Sequence, residues 1–333
     1  MDNDDLNNRK NRFNSIITFA MNLLPSLRQL SYLIAVSESL NFTQAASVCH
    51  VTQSTLSGGI QELERLLDAT LVERDRHAVR MTPVGDAVVE RARSLLSMAN
   101  DLVEHAAQVG RPMTGLLRLG AIPTIAPYLL PPLLRISRER HPSLRIALRE
   151  DQTARLLQQV RAGDLDFALI ALPYETGELK LAPLFDEELW LIALAGDAAA
   201  RLVRPRVDQL DPERMLLMED GHCLRTHTLT GCGLGERANP GGLEASSVST
   251  LVQMVEEGLG FGLLPEMAIR SGALNQTTVM ARPIAAPAPK RTIAMVARPS
   301  TARGVEFDAI ADIARSLEPL ATPARKRRLK RPA

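Results

Sequence analysis

The chain has 333 residues, of which 45% are apolar, 23% are charged and 3% are aromatic, and its net charge is +1. These values indicate a globular protein of two or three domains. No run approaches the roughly 18 apolar residues that a membrane helix needs, and three cysteines exclude a secreted disulfide scaffold. The short apolar segment 16–24 lacks a signal-peptide cleavage site, so we expect a cytoplasmic location without membrane association.

Both ends of the chain differ from its body. Residues 1–21 are polar and lack periodicity up to Phe13, which predicts a disordered extension, with Met21 as an alternative start. The last nine residues carry six positive charges, without which the net charge would be −5. We expect the segment 319–333 to be a basic tail that either contacts phosphates without specificity or is simply solvated.

The segment 22–82 has the pattern of three helices followed by a two-stranded wing. Apolar spacing predicts a first helix to about Glu38, a short helix 44–49, and a third helix that Thr52 caps. Two β-like segments, 70–73 and 79–82, surround a turn with two arginines. This order predicts a winged helix-turn-helix DNA-binding domain.

Short polar side chains at the start of the third helix suit base edges and phosphates, and arginines suit phosphates. The predicted DNA-binding residues are Arg28, Gln53, Ser54, Thr55, Ser57, Arg74 and Arg76. From Ser26 to Thr82, however, five arginines and six acidic residues give a net charge of −1, whereas a DNA-binding domain is expected to be basic. We therefore expect several copies to bind DNA together, because avidity multiplies weak contacts.

Apolar residues at steps of three and four predict a helix of about 27 residues over 83–110, whose apolar stripe needs a partner. Beyond it, residues 116–318 alternate strands and helices, which predicts an α/β domain with a largely parallel sheet. One of these strands is predicted at Leu189–Ala195. The sheet is left near residue 186 and re-entered near residue 291, which predicts a ligand site between two subdomains. Subdomain I comprises about 116–186 and 291–318, and subdomain II about 187–290.

Two of the cysteines, Cys223 and Cys232, lie in a Gly-rich segment, 221–233, with eight residues between them. Basic residues surround them, namely His222, Arg225 and His227. Nearby positive charge lowers a thiol's pKa, and a second thiol within reach of a flexible loop can resolve an oxidised sulfur into a disulfide. Two alternatives remain: the thiols are inert, or they join the histidines in a metal site of unusual order. Cys49 is predicted to be a buried structural thiol.

The chain resembles the LysR-type transcriptional regulators in the stretch F-T-Q-A-A-S-V-C-H-V-T-Q-S-T-L-S-G-G-I-Q-E-L-E (42–64), followed by L-V-E-R and M-T-P-V-G. Within that family it is similar to the peroxide-sensing OxyR branch over nearly all of residues 22–318. Four segments carry this similarity: I-P-T-I-A-P-Y-L-L-P (122–131), P-L-F-D-E (183–187), L-M-E-D-G-H-C-L-R (217–225) and K-R-T-I (290–293).

The resemblance implies a periplasmic-binding-protein-like, redox-sensing effector domain and a helix 83–110 that pairs with a second chain. It implies a homodimer that assembles to a homotetramer. Cys223 matches the peroxidatic cysteine and Cys232 the resolving cysteine, and the residues matching the peroxide pocket are Thr124, Thr153, His222 and Arg225. The chain departs from OxyR proteins at Thr226, where Asp is common, and at Gly231, where an aromatic residue is common.

The function that follows is an activator that senses hydrogen peroxide and controls antioxidant genes. Its implied partners are double-stranded promoter DNA, RNA polymerase, hydrogen peroxide, and thioredoxin or glutaredoxin as reductant. No cofactor, metal or enzymatic role is expected. Three alternatives remain open: a LysR-type regulator of a small metabolite with non-redox cysteines, a thiol peroxidase, and a solute-binding protein, which the missing signal peptide disfavours.

Overall fold

A computed structural model of the chain describes residues 24–74, 78–108, 112–234 and 242–318. They divide between two units, Met1–Val103 and Glu104–Ala333. The predictions for residues 1–21, for Arg76 and for the tail 319–333 concern residues outside those ranges. Within the described ranges, no helix has the length and apolar character needed to cross a membrane.

The first unit has the predicted order of elements. Its described residues form α1 (Leu27–Ser39), α2 (Phe42–Val48), α3 (Gln53–Leu67), β1 (Val72–Arg74), β2 (Val79–Met81) and α4 (Pro83–Gln108). Helix α2 begins two residues earlier than predicted, because Asn41 Oδ1 accepts hydrogen bonds from the N–H groups of Thr43 and Gln44 at 2.9 and 3.0 Å. Strands β1 and β2 pair antiparallel as the wing.

The predicted apolar stripe of α3 forms the centre of this unit's core. Leu56, Ile60 and Leu63 are fully buried against α1 and α2. A Cβ atom at Gly59 would lie 2.7 Å from Tyr32 Cδ2, so the glycine allows α3 to approach α1 closely. This packing leaves the first turn of α3 exposed to solvent.

The second unit alternates strands and helices. Its elements are β3 (Gly115–Ala121), α5 (Ala126–Arg140), β4 (Leu144–Glu150), α6 (Thr153–Ala162), β5 (Phe167–Leu172), β6 (Lys180–Leu194), β7 (Leu217–Met218), α7 (Cys223–Cys232), β8 (Glu244–Ala245), α8 (Val248–Glu256), β9 (Phe261–Pro265), α9 (Glu266–Arg270), β10 (Val279–Arg282), β11 (Lys290–Ala297) and α10 (Gly304–Ser316). Strand β6 starts nine residues before the predicted Leu189, and β10 was not predicted.

The main sheet is mixed, and the prediction of a largely parallel sheet is wrong. Its strand order is β10-β6-β11-β5-β3-β4, with β9 also paired to β6. Strand β3 is parallel to β4 and β5, whereas β11 is antiparallel to β5 and β6, and β6 is antiparallel to β9 and β10. The antiparallel pairings arise because the chain leaves the first half of the sheet along β6 and returns along β11.

Two apolar cores lie along strand β6, one beside each half of it. The first half of β6 contributes Leu184 and Phe185 to one core, together with β3, β5 and α10. The second half contributes Leu189 and Leu191 to the other core, together with β9 and α8. The two cores therefore occupy separate parts of the unit, and β6 runs through both of them. We call them the first core and the second core.

Candidate functional site

Helix α7 holds both cysteines of the Gly-rich segment, one at each end. The prediction of a flexible loop over 224–231 is therefore wrong. The cysteines are nine residues apart, so at about 1.5 Å per residue their Cα atoms are separated by about 13.5 Å. At about 100° per residue they also point to opposite faces of the helix. Accordingly, Cys223 is buried in the first core and Cys232 in the second.

The local sequence gives α7 little stability of its own. Four of its ten positions hold residue types that disfavour helix, namely Thr226, Thr228, Thr230 and Gly231. No side chain caps the N-terminus of α7. Both thiols are free. A disulfide requires Cα atoms within about 7 Å, so the two cysteines can form one only if α7 unwinds. The same separation prevents both sulfurs from binding one metal ion, and no metal-binding cluster occurs among the described residues.

A small cavity lies beside the Cys223 thiol. Its empty space, open solvent included, is about 170 Å³, and it is lined by Ile122, Pro123, Thr124, Gln152, Thr153, Gly221, His222 and Cys223. The lining comes from the turn after β3 and from the first residues of α6 and α7. The structure thus brings together four of the predicted site residues: Thr124, Thr153, His222 and Cys223.

The cation of this site is Arg291, which the sequence interpretation missed. Arg291 is fully buried on β11, and its Nη1 donates a hydrogen bond to Thr124 Oγ1 at 2.7 Å. Its Nε donates to Glu187 Oε2 at 2.9 Å, and both side chains of this ion pair are completely inaccessible to solvent. Glu187 and Arg291 lie in the segments 183–187 and 290–293 that carry the family resemblance, which was the sequence signal for this pair.

Arg225 does not have the predicted role. Its guanidinium contacts Asp220 Oδ1 at 2.9 Å, Glu244 Oε1 at 2.7 Å and the Met218 carbonyl at 3.0 Å. Arg225 is also absent from the residues lining the cavity. It follows Cys223 by only two helical positions, which places it on a different side of α7. Arg225 therefore joins α7 to β7 and β8.

The pKa of the Cys223 thiol is raised above its usual value, and the largest cause is burial. The charge of Arg291 and the hydroxyls of Thr153 and Thr124 oppose this effect. Thr153 Oγ1 nevertheless has no hydrogen-bond partner of normal geometry among the described residues. The resting thiol is therefore protonated, contrary to the expectation of a lowered pKa, and one buried hydroxyl of the cavity is available to a ligand.

His227 is a second buried group on α7, one helical turn after Cys223. Its Nε2 lies 3.3 Å from the Pro173 carbonyl and must donate its proton there, and its Nδ1 has no partner among the described residues. Burial, and then the charge of Arg291, lower the pKa of His227 to about 4. His227 is therefore neutral at neutral pH.

Protonation of His227 is expected to make the fold less stable in acid. Its pKa is about 4 in the folded state and about 6.5 in the unfolded state. As the pH falls through this interval the unfolded state binds a proton that the folded state does not, so about 3 kcal/mol of stability is lost. Urea unfolding between about pH 7.5 and pH 4 measures the loss. His227→Gln should reduce this dependence, whereas the same change at half-buried His141 should not; equal slopes for the parent and His227→Gln would contradict the prediction.

The second cysteine, Cys232, is the less reactive of the two thiols of α7. Burial alone raises the pKa of Cys232 to about 11. A Cβ atom at the preceding Gly231 would lie 2.7 Å from Pro289 Cβ, so no larger side chain fits there without a shift. This contact explains why an aromatic residue is absent at Gly231. Cys49 is half-buried rather than buried as predicted, and it lines a surface groove beside Arg28 and His50.

The predicted DNA-binding residues are placed in two parts of the first unit. Gln53, Ser54 and Thr55 are exposed on the first turn of α3, and Ser57 follows them. Arg74 of the wing donates to Ser57 Oγ at 2.7 Å and lies 4.2 Å above the Phe42 ring. Arg28 lies in the groove beside Cys49. The start of α3 and the wing thus share one polar surface, while the role of Arg28 stays a prediction.

Two family profiles match the chain: the LysR substrate binding domain over residues 110–317, and the bacterial regulatory helix-turn-helix protein of the lysR family over residues 27–86. The HTH-type transcriptional regulator EstR of Acinetobacter baylyi is 47% identical over 88% of this chain and 97% of its own length. The hydrogen peroxide-inducible genes activator of Dickeya chrysanthemi is 38% identical over 87% of this chain and 95% of its own.

A solved structure agrees with these matches. A full-length OxyR variant from Pseudomonas aeruginosa superimposes with a TM-score of 0.70 at 33% identity, covering 87% of this chain and 94% of that one. The observed order of domains, a winged helix-turn-helix followed by an α/β domain, agrees with the family profiles and with the relatives. The chain belongs to the LysR family of bacterial helix-turn-helix transcriptional regulators.

Proposed function

We propose that this regulator senses hydrogen peroxide through a reversible Cys223–Cys232 disulfide and activates antioxidant genes. The supporting observation is the cavity of about 170 Å³ beside the Cys223 thiol, with the unpartnered hydroxyl of Thr153 in its wall. Sites for metabolites occupy roughly 300–1,000 Å³. A cavity this small excludes an ordinary metabolite, and we infer that a local opening of its wall admits a molecule with two oxygen atoms.

The first chemical step uses Arg291 and the two threonines. Thr124 Oγ1 accepts a hydrogen bond from Arg291, so its own proton is directed away from the guanidinium and is available to an oxygen in the cavity. The Cys223 sulfur attacks one peroxide oxygen and the O–O bond breaks. The leaving hydroxide takes the thiol proton and becomes water, and Cys223 is left as a sulfenic acid. The buried charge of Arg291 stabilises the negative charge that develops in this step.

The second step needs a change of shape. Once α7 unwinds, the Cys232 sulfur attacks the sulfenic sulfur, a disulfide forms, and the sulfenic oxygen leaves as water with the Cys232 proton. A disulfide that closes a loop of about ten residues contributes roughly 2–3 kcal/mol to the stability of the conformer that contains it. A bias of that size changes the ratio of two conformers about 30- to 150-fold, which is enough to switch a regulator.

The finer features of the proposal follow from this role. The DNA partner is double-stranded promoter DNA, bound through α3 and the wing, which implies a bacterial cytoplasmic location. The other partners are RNA polymerase, thioredoxin or glutaredoxin as reductant, and further copies in a dimer and a tetramer. The helix 83–110 is proposed to pair with a second chain. We infer a regulatory rather than an enzymatic role because of the DNA-binding unit.

A second candidate function is a response to a small metabolite, with inert cysteines. The relative with the greater identity, EstR, is named a transcriptional regulator without reference to peroxide, which favours a signal other than peroxide. Such a protein would show ligand-dependent DNA binding that peroxide does not affect. The small volume of the cavity disfavours this candidate.

The proposal is tested by counting free thiols by mass spectrometry before and after brief treatment with substoichiometric peroxide. We expect rapid and selective formation of a Cys223–Cys232 disulfide, which thioredoxin or glutaredoxin reverses. Cys223→Ser should abolish both the disulfide and the transcriptional response, because it removes the sulfur that attacks peroxide. Cys49→Ser is the matched control and should respond like the parent. Slow oxidation of all three cysteines at similar rates would overturn the proposal.

A further inference from the structure

The buried cation of the peroxide site has an equally buried counter-ion. Arg291 and Glu187 are cross-strand neighbours on β11 and β6, where the chain passes between its two cores. Arg291 Nη2 lies 2.8 Å from Glu187 Oε2, and neither side chain is exposed to solvent. Because both side chains are buried, solvent screens this pair much less than a surface pair, so the Glu187 carboxylate offsets part of the field of Arg291.

Glu187 is itself fixed in position. Its second oxygen, Oε1, accepts a hydrogen bond from the N–H of Met267 in α9 at 2.7 Å. The carboxylate therefore connects α9 to Arg291, and Arg291 connects it to Thr124 through two hydrogen bonds. This series of contacts determines where the guanidinium lies relative to the cavity wall. A displacement of Glu187 would move the cation that the cavity uses.

Several titratable groups face the pair. The charge of Arg291 affects the pKa values of Tyr128, Cys223 and His227. The charge of Glu187 affects the pKa values of Tyr128 and Glu266. Cys232, in contrast, has a pKa raised by burial alone. The influence of Arg291 on a thiol is thus specific to the Cys223 end of α7, and Glu187 can act on that thiol only through Arg291.

We propose that Glu187 is a positioning residue for the Cys223 site: it orients the Arg291 guanidinium towards Thr124 and offsets part of its charge, and so limits the reactivity of the Cys223 thiol. Its relevance to peroxide rests on the proposed function. Burial is the largest cause of the raised pKa of the Cys223 thiol, and a counter-ion that weakens the activating cation acts in the same direction.

The test is a pH titration of the full chain labelled with carbon-13 at the cysteine β-carbons, whose chemical shifts report ionisation of each thiol separately. In Glu187→Gln the titration midpoint of Cys223 is expected to fall by about one unit, a tenfold change in its ionisation constant. Oxidation of Cys223 by peroxide should accelerate in parallel. Glu187→Asp, which withdraws the carboxylate by one methylene, should act in the same direction with a smaller effect.

The signals of Cys232 and Cys49 are internal controls for the integrity of the fold and should not change. Asp186→Asn is a matched variant, because Asp186, next to Glu187 in the chain, forms an exposed ion pair with Lys290 at 3.0 Å. We expect its Cys223 midpoint to equal that of the parent. A folded Glu187→Gln protein with the parent's Cys223 midpoint would overturn the proposal. If Glu187→Gln also moves the Cys232 signal, the Glu187→Asp variant provides the test. A fall of the Cys223 midpoint alone in Glu187→Asp supports the proposal, and a Cys223 midpoint equal to that of the parent overturns it.

The titration contains no peroxide, so it separates this inference from the proposed function. A selective shift at Cys223 in a protein that does not form the disulfide would reject peroxide sensing while supporting the role of Glu187. A parent that forms the disulfide, with a Cys223 midpoint insensitive to Glu187, would give the opposite result.

Discussion

Arg291→Met is expected to slow the oxidation of Cys223 by peroxide at least about 100-fold, comparable to the loss of one donor from an oxyanion hole. Burial already raises the pKa of Cys223, and Arg291 is the largest factor that opposes it. The change also leaves the Thr124 hydroxyl without the donor that orients it. Rapid-quench thiol counting at several peroxide concentrations measures the rate constant.

The same change is expected to destabilise the fold by about 3–5 kcal/mol, because it leaves Glu187 buried and unpaired. The double variant Arg291→Met, Glu187→Met separates the two effects. An apolar pair of similar volume should restore most of the free energy of unfolding, yet oxidation should stay slow because the cation is still missing. Parent-like oxidation in the stable double variant would contradict the role of Arg291.

Sequence reasoning succeeded where a single segment contains its own explanation. The stripe of Leu56, Ile60, Leu63 and Leu67 predicted α3 because these residues lie on one face at helical spacing. The structure buries the first three, whereas Leu67, the last residue of the helix, is exposed. The segments 153–162 and 167–172 were predicted with their observed bounds, since each has a clear helical or apolar pattern. In the same way, four of the residues assigned by resemblance line one cavity.

The helix α7 could not be predicted from its own residues. Its buried residues Leu224, His227, Thr228 and Cys232 do lie at helical spacing, but His227 and Thr228 are polar, so the sequence shows no apolar stripe. Glycine and threonine favour other conformations. Contacts with the rest of the fold make this segment helical. A loop was expected because the segment's own residues do not favour helix.

The cation of the site was also beyond the reach of sequence spacing. Arg291 and Glu187 are 104 residues apart and meet only because β6 and β11 pair in the observed register. Arg225 is close to Cys223 in sequence but contacts Asp220 and Glu244 instead. Closeness along a helix is a poor guide to electrostatic contact when two residues lie on different faces.

The stability of α7 is expected to set the redox potential of the disulfide, because the two cysteines cannot meet while the helix is intact. Thr226 and Thr230 are exposed and one turn apart on α7, so they can be changed without disturbing either core. Glycine is less favourable in a helix than alanine by about 1 kcal/mol per position. The pair Thr226→Gly, Thr230→Gly should therefore unwind more easily than the pair Thr226→Ala, Thr230→Ala by about 2 kcal/mol.

That difference corresponds to about 45 mV for a two-electron couple. Equilibration of each variant in glutathione buffers, followed by counting of the disulfide fraction, should show the glycine variant to be harder to reduce and the alanine variant easier. Ser249 and Gln253 provide the control, since they are exposed at the same spacing on α8, which contains neither cysteine. Glycine and alanine pairs there should give equal potentials. Equal potentials for the α7 pairs would mean that the disulfide forms without unwinding of this helix, and the coupling between thiol chemistry and a change of shape would have to lie elsewhere in the fold.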